Sequence, residues 1–323
     1  MEYSKLGKSD LYVSKICLGG MSFGDKTKGN QAWILDQEGT DKIVKRALDL
    51  GINFFDTANC YAEGTSEIYL GNALKKYAKR KDVIIATKVY FNEGHLSHNA
   101  IIREVNGSLK RLGVDYIDLL IIHRYDYETP VEETMSALNE LINEGKVRYI
   151  GASAMYAYQF LRLQECARAH GYHEFVSMQN HYNMIYREDE RELYPLLKEE
   201  GVSSTPYSSL AAGRLSRPWD SNSERSKLDF IASKKYDSTK DEDMPIILRE
   251  MEIAKKYNVT QTEVALSWLF SNPVVASTIV GITKEKYLDD AVNAINLKLT
   301  KEDVEYLNEL YLPHKAMGAR SSN

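Results

Sequence analysis

The stretch GINFFDTANCYAEGTSEIYLGNAL, residues 51–74, decides the fold class. A short apolar run ends at Asp56, a turn containing Tyr61 follows, and a helix begins near Glu67 after a Gly-Thr-Ser turn. A buried strand leading through a loop into a helix is the unit from which parallel α/β folds are built. The stretch therefore predicts one such unit, with Asp56 at the carboxyl end of its strand.

The same unit recurs along most of the chain. Short β-rich runs lie at 15–19, 52–56, 82–88, 116–122, 147–152, 175–179, 202–207 and 275–280. Amphipathic segments lie at 40–50, 66–79, 98–112, 131–144, 155–170 and 187–200, and Thr40 is a candidate N-cap of the first. Parallel strands with helical crossovers close into a barrel when there are eight units. We expect an α/β fold, a (β/α)8 TIM barrel, with residues 1–323 forming one domain.

Two segments lie outside this repeat. EYSKLG and DLYVSK flank a Gly-Lys-Ser turn at residues 7–9, which predicts an N-terminal β-hairpin that plugs the bottom of the barrel. Residues 216–243 are polar and show no clear period. Because loops of this length on a compact domain are usually functional or disordered, we expect a mobile cover near the ligand face, with a surface insertion as the alternative.

Composition excludes several classes of protein. Of the 323 residues, 41 are basic and 46 acidic, with neither sign in a long block, which argues against nucleic acid or an anionic membrane as the main partner. Cys17, Cys60 and Cys166 are too few and too scattered for a disulfide framework or a zinc cluster, which indicates a reducing compartment. The polar start and the absence of a long apolar run predict a cytoplasmic protein without a signal peptide or membrane span.

Four polar residues follow separate predicted strands: Asp56, Tyr61, Lys88 and His123. In a barrel, the carboxyl ends of the strands form one floor on which such side chains converge. A Lys88 amine paired with Asp56 would stay charged and lower the pKa of a neighbouring Tyr61 phenol, so that Tyr61 becomes a usable acid near neutral pH. Each residue also has a structural interpretation alone: a helix cap, a loop residue, a solvent-reaching lysine, a structural histidine.

Several motifs are absent from the sequence. It has no G-x-G-x-x-G after a strand, no H-E-x-x-H, no paired C-x-x-C and no complete P-loop. A nicotinamide cofactor would therefore not bind in the Rossmann manner, and nothing in the sequence favours a zinc hydrolase or a P-loop NTPase.

The chain resembles the aldo-keto reductase superfamily over nearly its whole length. The resemblance is carried, in family order, by LGGMSFG, GINFFDTANCY, IIATKV, SLKRLGVDYIDLLIIHRYD, GKVRYIGAS, SMQNHYN, PYSSLAAGRL and IVGITKEKYLDD. Longer stretches such as GNQAWILD and NHYNMIYREDEREL resemble a bacterial and fungal branch with broad aldehyde and ketone scope.

This resemblance implies an NADPH-dependent enzyme that reduces a small aldehyde or ketone to an alcohol without a metal. Asp56, Tyr61, Lys88 and His123 match the family's catalytic tetrad: Tyr61 would donate the proton, Lys88 and Asp56 would tune it, and His123 would orient the carbonyl. The residues expected near the active-site mouth are Met21, Phe23, Trp33, Tyr90, Phe91, Tyr125 and Trp219, which could form an apolar pocket.

The resemblance also implies the cofactor-binding residues. Ser153 and Gln179 match residues that bind the carboxamide, and Tyr207 matches the aromatic that stacks on the nicotinamide. Where the family usually has Asn this chain has Ala154, and Asn180 or a water are the replacements considered. The remaining positions are Gly20, Met21 and Asp56, the pyrophosphate loop of Ser208, Ser209, Leu210, Gly213 and Arg214, and the adenosine region of Gly281, Thr283, Lys284 and Tyr287. A hydroxyl and an ammonium in that last region suit the 2′-phosphate of NADPH.

Two other functions remain open at this point. The same fold and tetrad resemble cofactor-sensing β subunits of potassium channels, whose main role is to bind a partner. A sugar isomerase or lyase on the same class of barrel is a third possibility, since fold alone does not decide chemistry. We expect a small-molecule carbonyl substrate, no nucleic-acid or membrane partner, and a monomer or weak homo-oligomer.

Overall fold

The computed structural model describes residues 1–29, 33–219 and 230–312. In these ranges the strands are β1 (Tyr3–Lys5), β2 (Tyr12–Ser14), β3 (Ile16–Gly19), β4 (Phe54–Asp56), β5 (Ile84–Val89), β6 (Ile117–Ile122), β7 (Val147–Ser153), β8 (Ser177–Gln179), β9 (Ser203–Ser204) and β10 (Thr278–Gly281). The helices are α1 (Gln37–Asp49), α2 (Thr65–Tyr77), α3 (His98–Leu112), α4 (Val131–Asn143), α5 (Ala157–His170), α6 (Leu193–Glu200), α7 (Phe230–Tyr236), α8 (Lys240–Tyr257), α9 (Gln261–Phe270), α10 (Glu285–Asn293) and α11 (Lys301–Asn308).

Strands β3 to β10 form a closed parallel barrel. They lie in the order β10-β3-β4-β5-β6-β7-β8-β9, with each hydrogen-bonded pair parallel. The two ends of this order meet around Ser204, which donates its amide to the Val274 carbonyl at 2.8 Å and accepts from the Ala276 amide at 3.0 Å. The closed barrel of eight parallel strands with helical crossovers confirms the predicted (β/α)8 fold. Closure also pairs the two edge strands of the sheet.

The N-terminal hairpin seals the barrel from below. Strands β1 and β2 pair antiparallel, with Tyr3 opposite Ser14. Leu6, Leu11 and Val13 are buried and join a cluster inside the barrel. The turn is tight at Gly7, where φ is +54° and an added Cβ would lie 2.2 Å from the Val176 carbonyl oxygen. The predicted hairpin is confirmed, and its apolar side chains fill the lower end of the barrel.

The first barrel helix begins earlier than its apolar spacing indicates. Asp36 is the N-cap, and its side chain accepts a hydrogen bond from the Gly39 amide at 2.9 Å. Thr40, the predicted cap, lies inside α1, where its buried hydroxyl donates to the Asp36 carbonyl at 2.7 Å. The prediction of Thr40 as N-cap is wrong. The helix begins at Gln37, and its first turn is polar, so the apolar spacing of the sequence does not reveal it.

Two other segments differ from their predicted form. In 187–200, a short 3-10 turn at Glu188–Glu190 precedes α6. The segment 216–243 is partly helical, because it contains α7 and the first turn of α8. The buried apolar face of α8 comes from Ile246, Ile247 and Ile253, all beyond residue 243, so the segment alone shows no period. Residues 220–229, where the rest of the expected cover falls, lie outside the described ranges.

None of the helices in the described ranges has the length and apolar character needed to cross a membrane.

Candidate active site

The barrel brings the predicted polar residues to one rim. In the register of the sheet, Gly281 pairs with Gly19, and Gly19 pairs with Asp56. His123 follows β6 directly and its amide donates to the Val89 carbonyl at 3.0 Å, one residue beyond Lys88. Since all of these residues end parallel strands, their side chains meet at the carboxyl end of the barrel.

A buried lysine joins the other groups of this rim. Lys88 is fully buried, and its Nζ donates to Asp56 Oδ2 at 2.6 Å, the Thr57 carbonyl at 2.7 Å and Tyr61 Oη at 3.3 Å. An ammonium has three donors, so all are used. The other carboxylate oxygen of Asp56 accepts from Gln179 Nε2 at 2.9 Å. The site therefore contains a fully hydrogen-bonded Lys88–Asp56 ion pair, and the Tyr61 phenol is hydrogen-bonded to its lysine.

The charges of this group set the protonation of Tyr61. Burial disfavours the charged form of Lys88, but the neighbouring Asp56 carboxylate and Tyr61 outweigh it and raise the pKa of the amine above its usual value. Burial also raises the pKa of the Tyr61 phenol, and the positive charge of Lys88 only partly opposes that rise. Lys88 lowers the Tyr61 pKa as expected, but desolvation exceeds its effect, so the net shift is upward and not downward. Tyr61 thus carries its proton at neutral pH.

His123 lies beside the phenol as a neutral imidazole. Its ring centre is 5.8 Å from that of Tyr61, edge to face. Burial lowers its pKa well below the usual value, and the positive charges of Lys88 and Arg124 lower it further. Its Nδ1 atom is buried and has no hydrogen-bond partner within the described residues. A neutral imidazole has one donor and one acceptor nitrogen, so it can hydrogen-bond a ligand oxygen without adding charge.

The aromatic residues and the methionine expected at the mouth divide into three groups by burial. Phe91 is 51% exposed and its ring packs against His123 with centres 5.0 Å apart. Phe23, Tyr90 and Tyr125 are instead buried in the layer between barrel and helices. The prediction that these three line an open pocket is wrong, because residues just after strand ends also fill the helix–barrel interface. Met21, Trp33 and Trp219 are half-buried.

One end of the rim carries buried polar atoms without partners. The Ser153 Oγ and Tyr207 Oη atoms have no hydrogen-bond partner within the described part of the chain. Ser153 is paired in register with Gln179. The Tyr207 ring stacks on His181, with centres 5.4 Å apart and planes at 15°. Buried polar groups are normally hydrogen-bonded, so these two mark a place for a polar ligand next to the tetrad.

Asn180 is not free to replace the missing asparagine at Ala154. Its Nδ2 donates to Asp189 Oδ2 at 2.8 Å, and its Oδ1 accepts from Ser204 Oγ at 2.6 Å. Ala154 itself has a φ of 49°, a left-handed conformation that asparagine tolerates better than alanine. Asn180 already has a partner on each of its two side-chain amide atoms.

The loop after Tyr207 has an unusual run of left-handed residues. Ser208, Ala211 and Ala212 have φ of 55°, 46° and 54°, and Gly213 has 101°. Such conformations cost about 1–3 kcal/mol each for residues with a Cβ and tend to occur where backbone amides line up toward an anion. The Ser209 hydroxyl faces the barrel, where it contacts Thr278 Oγ1 and the Ile279 carbonyl. The amides of Ala211, Gly213 and Arg214 already donate to carbonyls within the loop, so its other amides are the candidates for binding an anion.

The other predicted cofactor residues extend outward from this loop. Leu210 is half-buried, and Arg214 pairs with Asp237 while its guanidinium lies 5.1 Å from the Trp219 ring centre. Gly281 ends β10, and Thr283 follows it. Lys284 is the exposed N-cap of α10, with Nζ 5.9 Å from the Tyr287 ring centre. Met21 belongs to the Gly20–Ser22 turn, where a Cβ on Gly20 would meet the Asp56 carbonyl oxygen at 2.9 Å.

Sequence reasoning missed the residues that support this surface. His181 Nε2 lies 2.8 Å from Tyr236 Oη on α7, and Asn183 Nδ2 donates to that hydroxyl at 3.2 Å and to the Ser208 carbonyl at 2.9 Å. Arg124, next to His123, was also missed. The polar run after β8 and the arginine after a strand-end histidine were visible signals, but their partners are distant in sequence.

Comparison with known proteins agrees with this geometry. The model of the aldo/keto reductase family matches residues 15–312. A Schizosaccharomyces pombe protein named as a candidate aryl-alcohol dehydrogenase is 42% identical, over 98% of this chain and 97% of its own. The versiconal hemiacetal acetate reductase of Aspergillus parasiticus is 42% identical, over 97% of this chain and 98% of its own. A crystal structure of a thermostable aldo-keto reductase with the inhibitor epalrestat superposes with a TM-score of 0.78 at 27% identity, covering 96% of this chain and 100% of that one.

The chemistry of the rim is consistent with these relatives. Across the described ranges, no group of three or more His, Cys, Asp or Glu side chains is arranged to hold a metal ion. The rim instead combines a protonated phenol, a buried lysine–carboxylate pair and a neutral imidazole. The chain belongs to the aldo/keto reductase family and is an oxidoreductase that reduces aldehydes or ketones.

Proposed function

We propose that the protein reduces small aldehydes and ketones to alcohols with NADPH, and that Tyr61 is the proton donor. The observation that carries this proposal is the contact of a fully buried, ion-paired Lys88 with the Tyr61 hydroxyl at 3.3 Å. A lysine buried in this way is costly unless it has a partner, and here its third donor is directed at the one group suited to give up a proton.

The residues present fit a nicotinamide dinucleotide. Ser153 Oγ and Tyr207 Oη, which have no partner among the described residues, would suit the carboxamide and the nicotinamide end of the cofactor, and Gln179 is paired in register with Ser153. The backbone of 208–213 suits the pyrophosphate, and Thr283 and Lys284 suit a 2′-phosphate. When bound, NADPH would supply the hydride that reduces the carbonyl carbon.

Proton transfer follows from the protonation states of the chain. Tyr61 holds a proton at neutral pH because burial raises its pKa. When the carbonyl oxygen gains negative charge, Tyr61 donates that proton, and the nearby Lys88 ammonium stabilises the phenolate that remains. Asp56 keeps Lys88 charged, and the neutral His123 orients the carbonyl oxygen by a hydrogen bond.

We also propose one domain, a monomer or weak homo-oligomer, and a cytoplasmic location. The even distribution of 41 basic and 46 acidic residues and the three scattered cysteines support a soluble protein of a reducing compartment.

A tyrosine-to-phenylalanine exchange tests the proton donor. Tyr61→Phe removes the hydroxyl and keeps the ring, so we expect kcat for NADPH-dependent reduction of benzaldehyde to fall by about 10²- to 10⁴-fold. NADPH affinity, measured by fluorescence titration, should stay near the wild-type value. Tyr12→Phe, on the hairpin at the opposite end of the barrel, is the matched control and should keep full activity. A Tyr61→Phe enzyme with turnover within tenfold of wild type would remove Tyr61 from this role.

A further inference from the structure

Among the described residues, an arginine at the rim has no acidic partner. Arg124 follows His123 and is half-buried. Its Nη1 donates to the His123 carbonyl at 2.9 Å, and its guanidinium faces the Phe91 ring. In the ranges that the structure describes, no carboxylate lies within ion-pair distance of it. A guanidinium has five N–H donors, so most of its hydrogen-bonding capacity is unused by the protein.

The position of this arginine is next to the reacting groups. Its guanidinium carbon lies 5.6 Å from the centre of the Phe91 ring, and that ring packs on His123. Its charge also acts on the far side of the rim: burial raises the pKa of Tyr207 to about 12, and Arg124 opposes that rise. Burial likewise raises the pKa of Cys60, beside Tyr61, against the charges of Lys88 and Arg124. Phe91 contacts both Arg124 and His123, so the guanidinium lies within one side chain of the tetrad.

The surroundings explain why an unpaired charge here indicates a ligand. The chain carries a formal charge of −5, yet in the described residues no carboxylate pairs with Arg124. An arginine fork matches a carboxylate through two parallel hydrogen bonds. Phe91, exposed between the guanidinium and His123, offers a flat apolar surface to the part of a ligand that joins an anionic group to a carbonyl.

We propose that Arg124 binds a carboxylate of the substrate, so that the preferred substrates are carbonyl compounds, especially planar aromatic aldehydes, that carry an anionic group. This inference rests on the proposed function, since it concerns the substrate of the same site. Arg124 is a specificity-determining residue and takes no part in the transfer of hydride or proton.

The test compares two aldehydes of similar shape, 4-formylbenzoate and its neutral methyl ester. The quantity measured is the ratio of kcat/KM for the anion to that for the ester within each protein, so a general loss of activity cancels. We expect a wild-type ratio above one and a ratio about 10- to 100-fold lower in Arg124→Gln, the effect of losing one charge-assisted pair. Arg124→Lys should keep part of the preference, because it keeps the charge without the fork.

The control is Arg162→Gln, which makes the same change of charge on the exposed face of α5 and should leave the ratio unchanged. A wild-type ratio near one, or an unchanged ratio in Arg124→Gln, would overturn the inference while leaving carbonyl reduction intact. If neither aldehyde is reduced, the proposed function fails, and binding decides the inference separately. In that case, calorimetry with 4-(hydroxymethyl)benzoate and NADP⁺-saturated protein should show binding that Arg124→Gln loses; equal binding by both proteins would refute the anion site.

Discussion

Replacing Lys88 by methionine should destabilise the protein strongly, although no large side-chain volume is lost. The Asp56 carboxylate is 2% exposed and lies 2.6 Å from Lys88 Nζ. At an effective dielectric constant of about 20, that separation corresponds to an attraction of about 6 kcal/mol. Without the amine, Asp56 keeps the hydrogen bond from Gln179 at 2.9 Å, which does not neutralise a buried charge. Breaking a buried pair from one side typically costs about 3–5 kcal/mol, and we expect Lys88→Met to fall in that range.

The loss in Lys88→Met should depend on pH in a defined direction. With the lysine gone, the buried Asp56 carboxylate has no counter-charge, and burying an unpaired charge costs free energy only when the acid is ionised. The deficit relative to wild type should therefore be larger at pH 8 than at pH 5. Asp56→Asn combined with Lys88→Met removes both charges and should be less destabilised than Lys88→Met alone.

Urea denaturation followed by circular dichroism measures these differences, with Lys75→Met, an exposed lysine of α2, as the control. The reasoning would be refuted by a Lys88→Met cost below about 1 kcal/mol, which is the range of exposed pairs. It would also be refuted if the double variant lost the sum of the two single losses, since residues in contact are expected to couple.

Two further predictions concern other parts of the molecule. Glu250 on α8 is fully buried, its Oε1 has no partner within the described residues, and burial raises its pKa well above the usual value despite a hydrogen bond from Gln261. The wild-type Glu250 has a higher pKa in the folded state than in the unfolded state, so wild type loses stability as pH rises above about 4.5. Glu250→Gln lacks this loss and should gain stability relative to wild type by up to about 1.4 kcal/mol per pH unit. A difference in melting temperature that is the same at pH 4.5 and pH 8 would contradict this. Lys284→Ala should raise the KM for NADPH about fivefold or more and leave the KM for NADH nearly unchanged, because the ammonium is proposed to meet the 2′-phosphate; parallel changes for both cofactors would place Lys284 outside that contact.

The order of strands and helices was predictable because each barrel unit has a strong local signal. All six residues of β6, IDLLII, are buried, as in a strand covered on both faces, and the helix that follows it, α4, has a regular apolar stripe. Local signals failed where the cause was polar or distant. Asp36 caps α1 through a side-chain contact that no period reports, and α8 takes its buried face from residues beyond the polar segment that precedes them.

The convergence of Asp56, Tyr61, Lys88 and His123 at one rim was also predictable, because a barrel places strand-end residues together whatever their separation along the chain. The protonation of Tyr61 could not be predicted from the sequence. Whether Lys88 lowers the Tyr61 pKa below its usual value depends on how deeply both groups are buried, and burial is a property of the folded chain.

The sequence by itself determined the barrel, the hairpin and which residues could perform reduction. The spacing of hydrophobic residues and the position of a residue at a strand end can both be recognised from neighbouring residues in the sequence. Only the tertiary structure decided that Ser209 faces the barrel, that Asn180 is held by Asp189, and that Arg124 lies at the rim with no acidic partner among the described residues. These outcomes depend on three-dimensional distances between residues far apart in sequence, because hydrogen bonds and charge pairs act only over a few ångströms.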